Sequence, residues 1–501
     1  MEPSRAVPPG VAIAFLICYA GLCLAGLNPW HLPESTDDIT YFDLARSWAA
    51  GEGHTVQGEI INDWPPGFPL ILSLPIRLGF GSLLAGKVLT VALALVALVL
   101  GYRLLRSERR ELPFVTMALL ALMPAGYVHL LRTGSDWPYA GMTFAFFPLL
   151  YRLRDRASLP VAVGAGLLLA AAALTRQVGV LLSAAIISQA IGKWWRLPRR
   201  ADVMGTARAV WPEALVSVLG ASAWLGWNLW LRSAAAAGRV ATGNYDVLGA
   251  SIWHFFEPLK AVKGVAELFF QFENIAGILG IPSGLAVAGL AVFAAVLAIG
   301  LWRTIAERRW LPSDAYALFT VAVLLNYQFK NTRFWIPVAP FLLDWFFRGL
   351  VWLTSPVWKA RPAFPWRKVA GALLGLWAAG CLAIDFVLIL KGNGAGQGPL
   401  CGLLSRDEGR FYRGLYADMR TAARWIAENR PGARIGVRGW FANYFREFSG
   451  GLRAVNHEYY PNEFDVFVRT TEPDLPELLR GQFTEVFRAG EAVVYAKTAE
   501  K

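Results

Sequence analysis

Apolar runs long enough to cross a bilayer recur through the first three quarters of the chain, each closed by a short polar loop. They fall at about 11–27, 83–105, 113–131, 139–151, 158–175, 178–194, 211–231, 277–302, 313–329, 334–353 and 369–390. This spacing predicts a polytopic all-α membrane domain of about 11 transmembrane helices over residues 1–390. The first run is read as a retained anchor, because no small-residue cleavage pattern follows it. Two connections are long. The first, 28–82, carries a predicted surface helix over 38–50, where Ile39, Phe42, Ala45, Trp48 and Ala49 form a helical stripe. Its apolar segment 68–80 contains Pro69, Pro75 and Arg77 and is too short to span, which predicts a second helix lying in the interface. The other connection, about 232–276, holds Trp253, His254, Phe255, Phe256, Phe269 and Phe270, aromatics suited to headgroup depth.

Beyond residue 390 the pattern changes. A glycine-rich linker over 391–405 leads to a stretch of ordinary charge density, 406–501. There the sequence predicts a helix over 411–429, short strands over 433–437, 464–468 and 492–496, and a helical turn over 476–480. A small C-terminal α/β domain is expected.

Composition agrees with the pattern. Hydrophobic residues make up 55% of the 501 positions and charged residues only 17%, against about 25% charged in a soluble domain. Disorder, coiled coil and collagen are excluded. The net charge of +12 suggests nucleic acid at first sight, but its distribution argues against that partner. The predicted inside loops collect Arg103, Arg106, Arg109 and Arg110; Arg152, Arg154 and Arg156; Lys193, Arg196, Arg199 and Arg200; and further clusters at 303–309 and 359–368. Cytoplasmic loops of membrane proteins are positive in this way. The alternation places the 28–82 loop and the C-terminal domain on the extracytoplasmic side of an inner (plasma) membrane. Cys18, Cys23 and Cys381 fall in apolar spans and Cys401 stands alone, so no disulfide framework is implied. No internal repeat is visible, which weakens an inverted-repeat transporter.

The candidate chemistry begins at Glu34-Ser35-Thr36-Asp37-Asp38-Ile39-Thr40-Tyr41, where two adjacent carboxylates open the predicted loop helix. A carboxylate at a water–membrane boundary can take a proton from an acceptor hydroxyl. The same residue types also suit a plain helix N-cap, and spacing alone favours the cap.

Resemblance changes that balance. Asp37-Asp38-x-x-Tyr41, then Gly51-x-Gly53 and Trp64-Pro65-Pro66-Gly67-Phe68-Pro69-Leu70, resembles the first outside loop of the GT-C membrane glycosyltransferases. The similarity is greatest to the bacterial branch with the protein O-mannosyltransferases and the aminoarabinose transferase of lipid A. Gly134-Ser135-Asp136-Trp137-Pro138, Leu174-Thr175-Arg176-Gln177-x-Gly179 and Arg333-Phe334-Trp335-x-Pro337-x-x-Pro340 also look like family segments, in the family's order over residues 10–350. The resemblance implies transfer of a hexosyl or pentosyl group from a polyprenyl-phosphate donor to a cell-envelope acceptor, with inversion. Asp37 then matches the loop aspartate that serves the reaction, and Asp136 matches a second acidic site. The aminoarabinose transferase has a lysine directly before its Pro-Pro pair, whereas Trp64 stands here.

Four basic residues need explaining independently of family: Lys87 one turn inside the second span, Arg176 between two spans, and Lys330 and Arg333 in one short loop. Ionisable groups near a span interior face a cavity or a partner. Lys87 and Lys330 can also snorkel to the interface, while arginine's planar fork grips phosphate bidentately. The expected mechanism has Asp37 accept the acceptor proton while Arg176 and Arg333, helped by Lys87, stabilise the departing lipid phosphate. Asp136 would orient Asp37, the acceptor or a metal, with Asp38, Tyr41 and Lys330 in support. No cofactor is required. A divalent metal stays open, since Asp37, Asp38, Asp136 and His31 offer ligands at no specific spacing. His254 with Glu257, and Asp63, rank below these as site residues. Asp344, Asp385 and Glu213 are expected to serve helix–helix hydrogen bonding. Two other classes compete: a transporter or flippase of the lipid-linked sugar using the same cations, and a silent scaffold whose outer domain binds an envelope partner.

Overall fold

The computed structural model describes residues 7–27, 36–56, 58–61, 64–196, 203–237, 283–326, 332–360, 366–391, 407–437, 445, 454–456, 464–469, 479 and 481–498. The chain divides into two compact units. One comprises Met1–Cys23, Ile60–Ile71 and Val88–Asp385, the other Leu24–Glu59, Leu72–Lys87 and Phe386–Lys501.

The first unit is helical. α1 (Pro9–Gly26) opens the chain, α4 (Leu83–Ser107) follows the first loop, and α5 (Pro113–Leu122), α6 (Pro124–Leu130), α7 (Asp136–Asp155), α8 (Leu159–Thr175), α9 (Ser183–Trp194) and α10 (Val203–Ala236) follow in turn. α11 (Ser283–Ala306), α12 (Pro312–Asn326), α13 (Ala339–Ala360) and α14 (Trp366–Lys391) complete the series. Each predicted span overlaps helix among the described residues, and three of the described helices are long and apolar enough to cross a membrane by themselves: Pro9–Gly26, Leu83–Ser107 and Met204–Ala236. The predicted 113–131 span is two helices, because Met123 adopts an extended conformation (φ −65°, ψ 125°) and Pro124 starts α6 without an N–H to offer. Residues 178–194 likewise begin as a 3-10 turn, Gln177–Leu182, before α9.

Close approaches fix the helix packing. α11 and α13 cross at Gly300 and Gly349, where a Cβ on either would meet backbone of the other helix, at Trp345 and Val296. Small residues at crossings of this kind let membrane helices gain van der Waals contact. α4 and α11 end alike: Arg109 (φ 55°) and Arg308 (φ 54°) take the left-handed conformation, and the next amide bonds back five residues, Arg110 N to Leu105 O at 2.9 Å and Arg309 N to Thr304 O at 3.0 Å.

In the second unit, α15 (Asp407–Asn429) packs on a five-stranded sheet of order β4-β3-β5-β7-β6. Its strands are β3 (Ile435–Val437), β4 (Ala454–Asn456), β5 (Val466–Arg469), β6 (Phe483–Ala489) and β7 (Ala492–Lys497). β3 pairs in parallel with β4 and β5, and β7 runs antiparallel to β5 and β6. Met419, Ala422, Ala423 and Ile426 of α15 meet Ile435, Val437, Val466, Val468 and Val494 in one apolar core. The strands β1 (Thr55–Val56) and β2 (Glu59–Ile60) form a separate two-stranded sheet.

α2 (Thr36–Ala50) belongs to this unit as well, and it is buried rather than superficial. Ile39, Phe42, Leu44 and Ala45 are all at most 1% exposed, and Ile39 joins the α15–sheet core. The apolar stripe was therefore legible, and the core that Ile39 enters is built from residues nearly four hundred positions further along the chain. α3 (Gly67–Arg77) keeps Phe68 and Leu72 buried while Leu70 and Leu74 are exposed, as an interfacial helix requires. Arg77 ties it to α2, donating from Nη2 to the Trp48 carbonyl at 2.7 Å.

Candidate active site

Asp136 and Arg176 come from segments forty residues apart in sequence and meet as a direct ion pair. Asp136 stands in the first turn of α7, where the helix N-terminus favours a carboxylate, and is 4% exposed. Arg176 caps α8 in an extended conformation (φ −146°, ψ 135°), so its side chain leaves the helix axis at this point. Arg176 also donates from Nη1 to Ser135 Oγ at 3.3 Å. The two family-like segments around Asp136 and Arg176 therefore form one structure, and the carboxylate's partner is the arginine.

The turn after Arg176 doubles back tightly. Gly179 lies where a Cβ would be 2.5 Å from the Ala172 carbonyl, and its amide bonds Arg176 O at 2.8 Å. On the other side, Gly67 approaches so closely that a Cβ would lie 2.7 Å from Thr175 Oγ1 and 2.8 Å from the Leu174 carbonyl. The Trp64–Leu70 and Leu174–Gly179 segments thus touch through a glycine. That contact explains why a glycine follows the Pro-Pro pair.

Arg333 arrives from a 3-10 turn, Thr332–Trp335, anchored by Trp335 at 2% exposure. Both arginines approach the Phe334 ring: the guanidinium carbons of Arg176 and Arg333 stand 5.0 and 5.2 Å from its centroid. His129 at the end of α6 approaches Thr332 Oγ1 at 3.4 Å and is within electrostatic reach of Arg132, Arg333 and Arg176. Sequence reasoning missed His129, Arg132 and Phe334. The first two lie inside and at the end of a predicted apolar span, and Phe334 was quoted only as part of a motif.

The remaining candidates are placed as follows. Asp38 is 1% exposed and Tyr41 6%, on α2 beside the half-buried Asp37. Lys87 is 1% exposed, one of the largest wholly buried side chains. Lys330, His31, Asp63, His254 and Glu257 lie outside the described residues. No three His, Cys, Asp or Glu side chains gather as a metal site among the described residues. Glu213 accepts from Gln189 Nε2 at 2.8 Å and pairs with Lys193 at 2.7 Å, and Asp344 binds two arginines, so both stitch helices together. Asp385 does not: neither of its buried oxygens has a hydrogen-bond partner among the described residues.

The second cluster of buried charge surrounds the loop after α4. Arg110 donates to Glu108 (2.7 Å), Asp314 (2.7 Å), Asp344 (2.9 Å) and Ser313 (2.8 Å). Arg348 adds a second bond to Asp344 at 2.9 Å, and Tyr151 donates to Glu108. Burial pushes the Glu108 carboxyl above its ordinary value, opposed in part by Arg110 and by the Tyr151 hydrogen bond.

Comparison with known proteins gives one kind of answer. No family model and no curated protein sequence matches the chain. Solved structures do. ArnT from Cupriavidus metallidurans bound to undecaprenyl phosphate aligns over 99% of both chains with a TM-score of 0.58 at 14% identity. Its apo state aligns over 98% of both at 0.56 and 17% identity. The chain has the GT-C fold. The arabinofuranosyltransferase AftD from Mycobacteria, also of the GT-C fold, matches 99% of this chain at a TM-score of 0.54 and 12% identity, over 40% of its own length. At these identities the likeness carries the fold alone, and the chemistry has to be argued from the residues.

Proposed function

We propose that this protein is an integral membrane glycosyltransferase that moves a sugar from a polyprenyl-phosphate donor to a cell-envelope acceptor on the extracytoplasmic side. One observation carries the reading: Arg176 and Arg333, from distant segments, converge on one aromatic ring within a chain of GT-C fold. ArnT, which shares that fold along its whole length, has been crystallised with undecaprenyl phosphate. As the sugar–phosphate bond breaks, negative charge accumulates on the phosphate, and fixed guanidinium donors lower the energy of that state. Arg176, Arg333 and Lys87 are assigned to the phosphate, with Lys330 in support. Asp136 holds Arg176 in its aim. Asp37 accepts the proton of the attacking hydroxyl, with Asp38 and Tyr41 supporting it from the same helix. A single displacement of this kind inverts the anomeric centre. The reaction needs no cofactor by this account.

The test is transfer by purified protein in liposomes, given radiolabelled polyprenyl-phosphate sugars and an envelope extract. Wild type transfers label, and Asp37→Asn and Arg333→Ala reduce transfer by about a hundredfold or more. Undiminished transfer by the Asp37 variant would reject the assigned base. Donor flipping by wild type without any transfer would replace the enzyme with a transporter.

A further inference from the structure

We infer that Phe334 is a positioning residue for the donor phosphate, and this inference rests on the transferase reading above. Its ring sets two guanidiniums at nearly equal distances, 5.0 and 5.2 Å. Two like charges brought into one small region repel each other, and a π-face relieves part of that repulsion by attracting both. A carboxylate in the same place would hold the arginines more tightly, but it would also cancel the charge that a phosphate needs. The two arginines differ here. Arg176 already gives Nη1 to Asp136 and Ser135, so its aim is set by an acid and by the ring together. Arg333 is the immediate chain neighbour of Phe334, in a 3-10 turn whose next residue, Trp335, is anchored in the interior. The ring therefore couples a mobile-length side chain on one segment to the end of α8 on another.

Attraction through the ring face engages the plane of a guanidinium, whereas phosphate oxygens are gripped by the N–H groups at its edge. Phe334 acts through the arginines and makes no claim on the reacting atoms. Its loss is expected to weaken donor binding more than turnover, because misaimed guanidiniums no longer share one phosphate.

The experiment replaces Phe334 by Leu, by Trp and by ring-fluorinated phenylalanines, which keep the shape and progressively withdraw the negative face. Undecaprenyl phosphate binding and donor KM and kcat are measured in lipid, alongside Arg333→Ala. The expected result is about tenfold weaker binding for Phe334→Leu, carried mainly in KM, recovery in Phe334→Trp, and a graded loss with fluorination at an unchanged melting temperature. Equal affinity of the Leu, fluorinated and wild-type proteins, with Arg333→Ala still impaired, would overturn the positioning role alone. Unimpaired binding by Arg333→Ala would overturn the reading on which it rests.

Discussion

Two clusters in the helical unit hold buried or half-buried arginines, and they differ in how those arginines are satisfied. Around Arg110, at 1% side-chain exposure, three carboxylates and a serine hydroxyl occupy the guanidinium. Around Arg176, at 12%, one carboxylate, one serine and an aromatic face do so, with Arg132 and Arg333 nearby. The first arrangement is acid-rich and joins the α4–α5 loop, α12 and α13. The second is rich in cations and is held by a neutral ring. Burial of an arginine by itself therefore says nothing about function; the balance of charge around it does. A guanidinium enclosed by carboxylates is committed to the fold, whereas arginines gathered on a neutral ring suit an anion.

Substitutions sharpen that contrast. Arg110→Ala leaves Glu108, Asp314 and Asp344 buried against one another and is expected to cost about 3–5 kcal/mol, seen as loss of monodisperse protein or a large drop in melting temperature. Gly67→Ala is expected to cost about 1–3 kcal/mol by overpacking and to reduce transfer as well, because the backbone it displaces leads straight into Arg176. A purely local effect would leave donor affinity unchanged at the temperature of the assay. Glu108→Gln is expected to be the mildest, within about 1 kcal/mol at neutral pH. The folded-state carboxyl of Glu108 is raised, so its contribution to stability is complete below its unfolded value and is lost as pH rises through the folded one. The Gln variant should therefore flatten the stability–pH profile between those two values, measured by thermal unfolding at stepped pH.

The same contrast shows what the sequence could reveal. Apolar periodicity anticipated the helices of the first unit but not which of them are long enough to cross a membrane alone, and the C-terminal helix and three of its strands lie within a few residues of where alternation put them. β4 and β6 were not legible: β6 alternates exposed and half-buried positions at the sheet edge, with Glu485 and Arg488 facing out. The burial of α2 was invisible because Ile39 enters a core built by α15 and the sheet, far along the chain. For the site, motif order picked out Asp136, Arg176 and Arg333 but gave no sign that Asp136 pairs with Arg176. An ion pair between residues 136 and 176 follows from where α7 begins and α8 ends, which no spacing rule encodes. Arg110, counted with the positive loop clusters, is instead sunk among acids. Asp344 and Glu213 were legible only as buried polar groups in search of partners.

The central claim is that Arg176 and Arg333 form the anion site, and its most direct test is equilibrium binding of undecaprenyl phosphate in lipid. Arg333→Ala is compared there with Arg309→Ala, which removes the same charge from a side chain 56% exposed. The account predicts at least about tenfold weaker binding for Arg333→Ala and wild-type affinity for Arg309→Ala. Equal affinities in all three proteins would contradict it.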